Sequence, residues 1–421
     1  MEQKYLPRIA DEVLGGALQA TGAILVEGPK WCGKTRTARE QAKSTLFMQD
    51  PDRTVSYLKT ADTKPSLLLR GDKPRLLDEW QVAPVLWDAV RFAVDQNNEP
   101  GQFILTGSAV PKDGSTQHTG TGRIARMLMR PMSLFESLES NGSVSLQDLF
   151  NGHHDVEGYS ALTMEDLAFA MIRGGWPASV GKSEAVALHS AHEYVDSVIN
   201  MDISRVDGVD KNPARVRALM RSLARNISTS ASMSTIRSDI AANEDSLSEN
   251  TITGYINALR RIFVVEDLPA WNPAMRSKTA IRTSPVRHFV DPSIATAVTR
   301  SSVASLLEDF ETFGLLFESL CIRDLRVYSQ TLDGEVFHYR DKSGLEADAV
   351  IHLRDGRWGA VEVKLGSTEI ETAAKNLLTL QARIDTERMK QPEFLMVLTG
   401  TEIAYQRADG VLIVPIGCLR N

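Results

Sequence analysis

A glycine-rich loop sets the strongest limit on how this chain can fold. Residues 28–35 fit the pattern GxxxxGK[ST] at every fixed position and follow the apolar run 24–26 directly. Glycines at both ends of such a loop let successive backbone N–H groups face a phosphate, and the helix that follows adds the positive end of its dipole. Strand, loop and helix in this order predict an α/β fold of the P-loop type, with a parallel sheet between helices.

The loop residues are the predicted ligands of ATP and Mg²⁺. Lys34 is expected to reach the β- and γ-phosphates and to take part in catalysis, and the Thr35 hydroxyl is expected to bind Mg²⁺. Cys32 most simply fills a variable position of the loop. A chance glycine turn is the alternative, which the flanking strand disfavours. The full predicted nucleotide set is Gly28, Pro29, Lys30, Trp31, Cys32, Gly33, Lys34, Thr35, Arg36 and Ser108.

Two acids end a second apolar strand. Asp78 and Glu79 follow the run 75–77, which is short and apolar enough to be a buried strand. Asp78 is expected to hold Mg²⁺ through water, and Glu79 is expected to orient and deprotonate the attacking water. Adjacent carboxylates also occur at solvated strand ends. Their presence together with a P-loop favours catalysis.

A third apolar strand, residues 103–105, ends in small hydroxyl residues. Thr106 and Ser108 are both candidates for sensing the γ-phosphate or the attacking water. A strand followed by a simple turn is the alternative.

An arginine after the loop rich in Gly, Thr and Ser at 111–122 is a candidate arginine finger. Arg123 is the first choice, and Arg126 and Arg130 are its competitors. Such a residue supplies positive charge in the transition state, either to the nucleotide of its own chain or to that of a neighbour.

The order of these motifs resembles the prokaryotic AAA-type ATP-binding family whose members carry a C-terminal domain of unknown function. The resemblance covers nearly the whole chain. It is carried by GPKWCGKT, RLLDEW, FILTGSA, the MSLFE run at 132–136 and the GGWP turn at 174–177. It implies that the chain binds and hydrolyses ATP. It also implies a domain order in which the N-terminal ATPase is followed by a small helical segment, a winged helix and a nuclease-like fold.

Four segments are predicted along the chain. They are an AAA-like P-loop domain over 1–160, a helical lid or linker over 161–202, a winged-helix-like domain over 203–300 and a nuclease-like α/β domain over 301–421. Within the third, helices at 233–242 and 248–261, the second capped by Ser248, precede a strand at 262–265. This is the element order of a winged helix.

Carboxylates in the last segment are spaced so that they can converge. Glu362 and Lys364 lie two residues apart on a predicted strand and point to one side, where they can face Asp348 across a hairpin. Glu318 on the preceding helix is a fourth candidate. This pattern looks like the PD-(D/E)xK nuclease core, in which such groups hold a divalent metal and polarise water. The alternatives are an inward ion pair or an interaction domain that has lost cleavage.

The charge balance leaves a local nucleic-acid contact open. The chain has 47 Lys and Arg against 54 Asp and Glu, a net charge of −7, so it is not a polycation that coats nucleic acid. Residues 203–288, however, contain 13 Lys and Arg against eight acids. DNA binding through Arg260, Arg261 and their neighbours is therefore predicted, with protein contacts as the alternative.

The expected setting is the cytoplasm, without a membrane partner. Three distant cysteines form no CxxC pair, and no run approaches the roughly 20 apolar residues that cross a bilayer. Three functions fit these patterns: a Mg²⁺-dependent ATPase that moves its C-terminal modules, an ATP-regulated nuclease, and a nucleotide-dependent scaffold. Glu79 favours turnover. The sequence leaves open whether the chain forms a homo-oligomer or binds another protein.

Overall fold

The structure, a computed structural model, describes residues 4–107, 120–206, 208–241, 247–272, 284–387 and 389–421. Its backbone falls into two compact units. The first comprises Met1–Pro131, Asp202–Asp210 and Ala258–Phe263, and the second comprises Met132–Met201, Lys211–Asn257 and Val264–Asn421.

A parallel sheet forms the centre of the first unit. Its strands are β1 (Ala23–Glu27), β2 (Ser44–Phe47), β3 (Arg75–Asp78), β4 (Phe103–Gly107) and β5 (Ile124–Leu128), and its helices include α1 (Ile9–Ala20), α2 (Lys34–Gln41), α3 (Thr54–Thr63) and α4 (Val85–Asn97). Within the described residues the strands pair in parallel in the order β2-β3-β4-β1-β5. The predicted parallel sheet is confirmed.

Burial on both faces explains why the strands of this sheet read as continuous apolar runs. Every residue of β4 is buried, as are the first four of β1. On one face, Leu25, Leu77 and Leu105 pack in a common core with Trp80 and Trp87. Because the strands are parallel, their carboxyl ends share one edge of the sheet, and the P-loop leaves from that edge.

Helices make up much of the chain after the first sheet. They are α5 (Leu146–Phe150), α6 (Met164–Arg173), α7 (Glu184–Ser197), α8 (Ile203–Arg205), α9 (Pro213–Arg225), α10 (Met233–Ala241), α11 (Glu249–Arg261), α12 (Pro292–Thr299), α13 (Val303–Glu308), α14 (Phe310–Tyr328) and α15 (Ile370–Ala382). A π-helical segment, Val198–Asp202, joins α7 to α8. Short 3-10 turns occupy Pro65–Leu67, Trp80–Val82, Pro177–Ser179, Ser329–Leu332 and Ile416–Cys418.

A mixed sheet organises the second unit. Its strands are β7 (Gly158–Tyr159), β10 (Gly334–Arg340), β11 (Glu346–Leu353), β12 (Trp358–Lys364), β13 (Leu395–Thr399), β14 (Ile403–Gln406) and β15 (Leu412–Pro415). Among the described residues their order is β10-β11-β12-β13-β15-β14-β7. Smaller pairs join β6 (Val144–Ser145) to β16 (Leu419–Arg420) in parallel and β8 (Val265–Leu268) to β9 (Val286–Phe289) in antiparallel fashion.

The first segment of the first unit ends at Pro131, before the predicted domain boundary at residue 160. Residues 144–145 and 158–159 supply β6 and β7, which pair with β16 and β14 near the C-terminus. The Leu134 N–H also donates to the Asp324 carboxylate at 2.9 Å. These long-range hydrogen bonds agree with the assignment of residues 132–160 to the second unit.

The element order predicted for the winged helix is present as two helices and a strand pair. α10 and α11 precede β8 and β9, and the Thr251 N–H donates to the Ser248 hydroxyl at 3.1 Å, as expected of an N-cap. The strand begins at Val265 and not at residue 262. Most of the predicted turn, together with Ala242, lies outside the described residues. The assignment as a winged helix stays a prediction.

Candidate functional site

The P-loop backbone adopts the conformation that its glycines allow. Gly28 has φ +148°, and a β-carbon there would lie 2.1 Å from the Met129 carbonyl oxygen. Gly33 has φ +103° and sits in the left-handed region at the N-cap of α2. A side chain at either position would strain the loop. The backbone conformation therefore explains why the motif requires glycine at both positions.

Lys34 lies within the loop. Its side chain is 6% exposed, and its ammonium donates to the carbonyl oxygens of Gly28 at 2.9 Å and Pro29 at 2.7 Å. The group is charged, close to the backbone that cradles a phosphate, and bonded to neutral partners. A phosphate oxygen can take their place without breaking an ion pair.

Asp78 connects the P-loop to the neighbouring strands. Its Oδ1 accepts hydrogen bonds from the hydroxyls of Thr35 at 2.7 Å and Thr106 at 2.6 Å. The register pairs Asp78 of β3 directly with Thr106 of β4, which is fully buried. The Thr106 hydroxyl thus helps to orient the carboxylate, and its predicted role as a γ-phosphate sensor stays a prediction. Thr35 and Asp78 supply the hard oxygen donors that Mg²⁺ prefers.

Glu79 has an uncommon backbone conformation and a raised side-chain pKa. Its φ of +54° and ψ of +47° lie in the left-handed region, where residues other than glycine are uncommon. Its carboxylate accepts a hydrogen bond from the Gln81 amide. Burial raises the pKa of Glu79, and Lys34 and the Gln81 bond partly offset this. A raised pKa suits a general base near neutral pH.

Other predicted loop ligands have partners around the site. The Lys30 ammonium lies 2.5 Å from the carboxylate of Asp202, which is 7% exposed. Arg36 forms an ion pair with Glu40 one turn along α2, at 3.0 Å. Trp31 is 51% exposed and has φ +66°. Ser108, a predicted nucleotide ligand, lies outside the described residues.

Arg8 is a buried residue of the site that sequence reasoning missed. Its guanidinium donates to the carbonyl oxygens of Cys32 at 2.8 Å and Arg130 at 2.9 Å, which ties the P-loop to the segment after β5. The Cys32 thiol is fully buried and donates to the Met129 carbonyl at 3.5 Å. These contacts agree with the interpretation of Cys32 as a filling residue. No local pattern marks Arg8, since its partners are distant in sequence.

The geometry corrects the prediction that Arg123 reaches the nucleotide of its own chain. Its carbonyl accepts from the Ala23 N–H, so it stands at the amino ends of β1 and β5, and its side chain pairs with Asp95. The P-loop leaves the opposite edge of the sheet, a strand of five residues or ~16 Å away. A role toward a neighbouring chain stays a prediction.

The two competing arginines differ in position. Arg126 lies within β5 and pairs with Glu27 at 3.1 Å. Arg130 follows the carboxyl end of β5, just after Met129, whose N–H bonds to the Glu27 carbonyl at 2.8 Å. Arg130 is therefore the candidate on the same edge of the sheet as the P-loop.

The predicted carboxylates of the second unit converge around one lysine. The Lys364 ammonium lies 2.9 Å from Glu362 and 3.4 Å from Asp348. Asp348 also accepts from the Val363 N–H at 2.7 Å. Glu318 of α14 is near enough for its charge to be felt by the others. The convergence predicted from strand alternation is present.

Burial dominates the electrostatics of this cluster. Glu362 is 2% exposed, and burial followed by repulsion from Asp348 raises its pKa to about 8. Burial and the same neighbour raise the pKa of Glu318 well above its ordinary value. Burial disfavours the charged form of Lys364, but Asp348 and Glu362 outweigh it and raise the lysine pKa. The cluster is centred on a cation that the protein itself supplies.

The side chains of this cluster are not arranged as a metal cage. In the part of the chain that the structure describes, no three His, Cys, Asp or Glu residues are placed so as to hold a metal ion. The predicted metal role of Glu318, Asp348, Glu362 and Lys364 therefore stays a prediction. Over the same residues, no helix has the length and apolar character needed to span a membrane.

Comparison with known proteins divides the chain into three matched regions. Residues 20–138 match the model of an AAA domain, and residues 164–305 and 313–419 match two domains of unknown function, DUF8612 and DUF4143. Uncharacterized proteins of Mycobacterium bovis and Mycobacterium tuberculosis are each 24% identical over 360 residues, covering 84% of this chain and 72% of theirs.

Among solved structures, a Walker-type ATPase of Pyrococcus abyssi matches with a TM-score of 0.43 and 15% identity, over 71% of this chain and 97% of that one. The AAA match spans the P-loop, Asp78, Glu79 and Arg130, which are the residues that build the site described above. The first part of the chain, residues 20–138, is thus an AAA-type P-loop domain.

Proposed function

We propose that the protein binds ATP with Mg²⁺ at the P-loop and hydrolyses it. The observation that carries this proposal is the Asp78 carboxylate, bonded at once to Thr35 of the P-loop and Thr106 of β4, with Glu79 next to it. The P-loop, the Asp78 carboxylate and the Glu79 carboxylate thus meet at the carboxyl edge of one parallel sheet. This is where ligands bind in open α/β folds.

Each residue has a chemical role in the proposed reaction. The ammonium of Lys34 and the N-terminus of α2 stabilise negative charge on the phosphates. Thr35 and Asp78 hold Mg²⁺, which neutralises charge on the phosphate oxygens when it is bound. Glu79 accepts a proton from the attacking water, a task that its raised pKa suits. Gln81 fixes the orientation of the Glu79 carboxylate.

The test of this proposal is phosphate release by the full chain. Wild type, Lys34→Ala and Glu79→Gln are compared with the control Glu99→Gln, which alters an exposed acid of the same unit. Loss of turnover in the first two variants alone supports the proposal. Turnover by Glu79→Gln at the wild-type rate shows that the base is assigned wrongly. ATP binding without release of phosphate by wild type favours the nucleotide-dependent scaffold.

We also propose that the nucleotide state is passed to the rest of the chain through Lys30. Lys30 belongs to the P-loop, and its partner Asp202 ends the π-helical segment that joins α7 to α8. Such π-helical turns are rare and concentrate at functional sites. A phosphate near Lys30 competes with Asp202 for the ammonium. Protection of the 198–206 backbone from hydrogen exchange should then change with ATP in wild type but not in Asp202→Asn.

A second candidate function is metal-dependent cleavage of nucleic acid in the C-terminal region. Two observations favour it. Glu318, Asp348, Glu362 and Lys364 converge, and they do so in a region whose elements follow the order α14-β10-β11-β12-α15-β13. Nicking of plasmid DNA with Mn²⁺, lost in Lys364→Ala and retained in the exposed control Lys342→Ala, supports a nuclease, and a change of the nicking rate on addition of ATP supports its regulation by ATP. The absence of cleavage on any DNA or RNA favours a scaffold.

A further inference from the structure

The positive charge of the middle segment is concentrated in one stretch. Residues 211–241 contain six Lys and Arg and one acid, Asp239, whereas the rest of 203–288 contains seven of each sign. The local excess therefore belongs to α9, which has four arginines and no acid, and to Lys211 just before it, because Arg237 and Asp239 of α10 cancel. The predicted DNA contacts Arg260 and Arg261 lie within residues 242–288, where six Lys and Arg are nearly balanced by five acids.

Three arginines of α9 line a groove of about 410 Å³. Arg217, Arg221 and Arg225 follow one another at intervals of four residues, so they lie along one face at ~6 Å steps over about 12 Å of helix. A parallel row of small residues, Ala214, Ala218 and Ser222, also lines the groove. Large apolar side chains of α9, among them Leu219 and Leu223, are buried on another face.

The charges of the groove are largely available to a ligand. Among the described residues Arg217 pairs with an acid, Asp196, at 2.7 Å, while Arg221 and Arg225 are exposed and form no ion pair there. Asp239 of α10 also lines the groove. It accepts hydrogen bonds from Ser222 at 2.9 Å and from Asn226 at 3.0 Å.

We propose that this groove binds the phosphate backbone of duplex nucleic acid. A row of guanidinium groups spread over about 12 Å of helix matches a row of phosphates and exceeds what one small anion can contact. Protein interfaces are usually centred on large side chains in well-packed, desolvated pockets, whereas apart from its arginines this groove is lined among the described residues by nothing apolar that is larger than alanine. The small residues let a backbone approach the helix closely.

The test is fluorescence anisotropy of a labelled 24-base-pair duplex with the full chain over a series of salt concentrations. Arg221→Gln/Arg225→Gln is compared with the control Arg300→Gln/Arg354→Gln, which removes two exposed charges of the same unit. Gln keeps helix propensity close to that of Arg. The groove variant should bind on the order of tenfold more weakly, and its slope of log K against log salt should be flatter by about 1.8. Control and wild type should agree.

A gain of affinity separates this proposal from simple misfolding. Asp239→Asn removes the negative charge of the groove and keeps one acceptor oxygen for Ser222 and Asn226, so it should bind the duplex several-fold more tightly than wild type. No binding by wild type at low salt overturns the proposal. Equal slopes for wild type and the groove variant also overturn it, because the contacts then lie elsewhere. Displacement of the duplex by polyglutamate at equal charge overturns it in favour of an acidic protein segment. Phosphate release, measured in parallel, tests the ATPase proposal separately.

Discussion

The two acidic sites of this protein satisfy their charges in opposite ways. At the P-loop, Asp78 accepts from two threonine hydroxyls, and Lys34 donates to neutral carbonyls. In the C-terminal cluster, Lys364 is shared by Asp348 and Glu362. Hydroxyl and carbonyl partners hold a charged group in place without neutralising it. Carboxylates around an ammonium neutralise it.

This difference shows how ready each site is for a ligand. A phosphate or Mg²⁺ at the P-loop replaces hydrogen bonds between a charged group and uncharged partners with interactions between opposite charges. A metal in the C-terminal cluster has to compete with Lys364 and displace protons from Glu318 and Glu362, whose pKa values burial raises. The P-loop is the better prepared of the two.

The largest effect is expected from Lys34→Ala. Removal of the ammonium takes away charge that stabilises the transferring phosphate, and loss of one such preorganised group lowers turnover by at least about 100-fold. ATP affinity should fall as well. Steady-state phosphate release and nucleotide binding are the measurements, with the exposed Lys43→Ala as the control. Near-normal turnover by Lys34→Ala would place hydrolysis outside the P-loop and remove the contrast between the two sites.

Glu79→Gln should separate binding from chemistry. Turnover is expected to fall on the order of 100-fold, as for loss of a general base, while ATP binding persists. The raised pKa of Glu79 also gives a pH dependence. Wild-type kcat should drop on the acid side as Glu79 takes up a proton, at a pH above the ordinary range of a glutamate. The Gln variant should lack this acid limb. An identical limb in both proteins contradicts the assignment.

An intermediate effect is expected from the arginine beside the P-loop. Arg130→Ala should lower turnover on the order of tenfold, because this residue follows β5 at the carboxyl edge of the sheet. Arg123→Ala should leave turnover unchanged in dilute protein, since Arg123 stands at the other edge. Phosphate release at several protein concentrations, with light scattering, is the measurement. A defect of Arg123→Ala that appears only in an oligomer identifies an arginine finger that acts between chains.

Sequence reasoning succeeded where the pattern is local. The P-loop glycines and Asp78 follow from a motif placed after an apolar strand, and the parallel sheet follows from short apolar runs between helices. The convergence of Asp348, Glu362 and Lys364 follows from the alternation of side chains along strands. In each case short local patterns, repeated along neighbouring strands, are enough to predict the geometry.

Contacts between distant parts of the chain carried no such signal. Lys30 and Asp202 are 172 residues apart, and nothing near either residue marks the other as its partner. Arg123 was placed at the site because it follows a loop, but the parallel direction of β5 puts it at the far edge. The basic groove was missed because charge was summed over 203–288, which mixes the arginines of α9 with a neutral remainder.

The smallest effect concerns the stability of the C-terminal cluster. The pKa of Glu362 is raised to about 8 in the folded chain and is near 4.5 when the carboxyl is exposed. Between these values the folded state holds a proton that the unfolded state releases, so the free energy of unfolding falls as pH rises from 5 to 8. Glu362→Gln cannot titrate, and its unfolding midpoint should fall less over this range, by about 2–4 °C for each 1 kcal/mol that wild type loses. Thermal unfolding at pH 5, 6.5 and 8 is the measurement, with Glu335→Gln, an exposed acid of β10, as the control. If Glu362→Gln and wild type follow the same pH dependence, Glu362 holds no extra proton in the folded protein, and a metal at the cluster would not have to displace one from it.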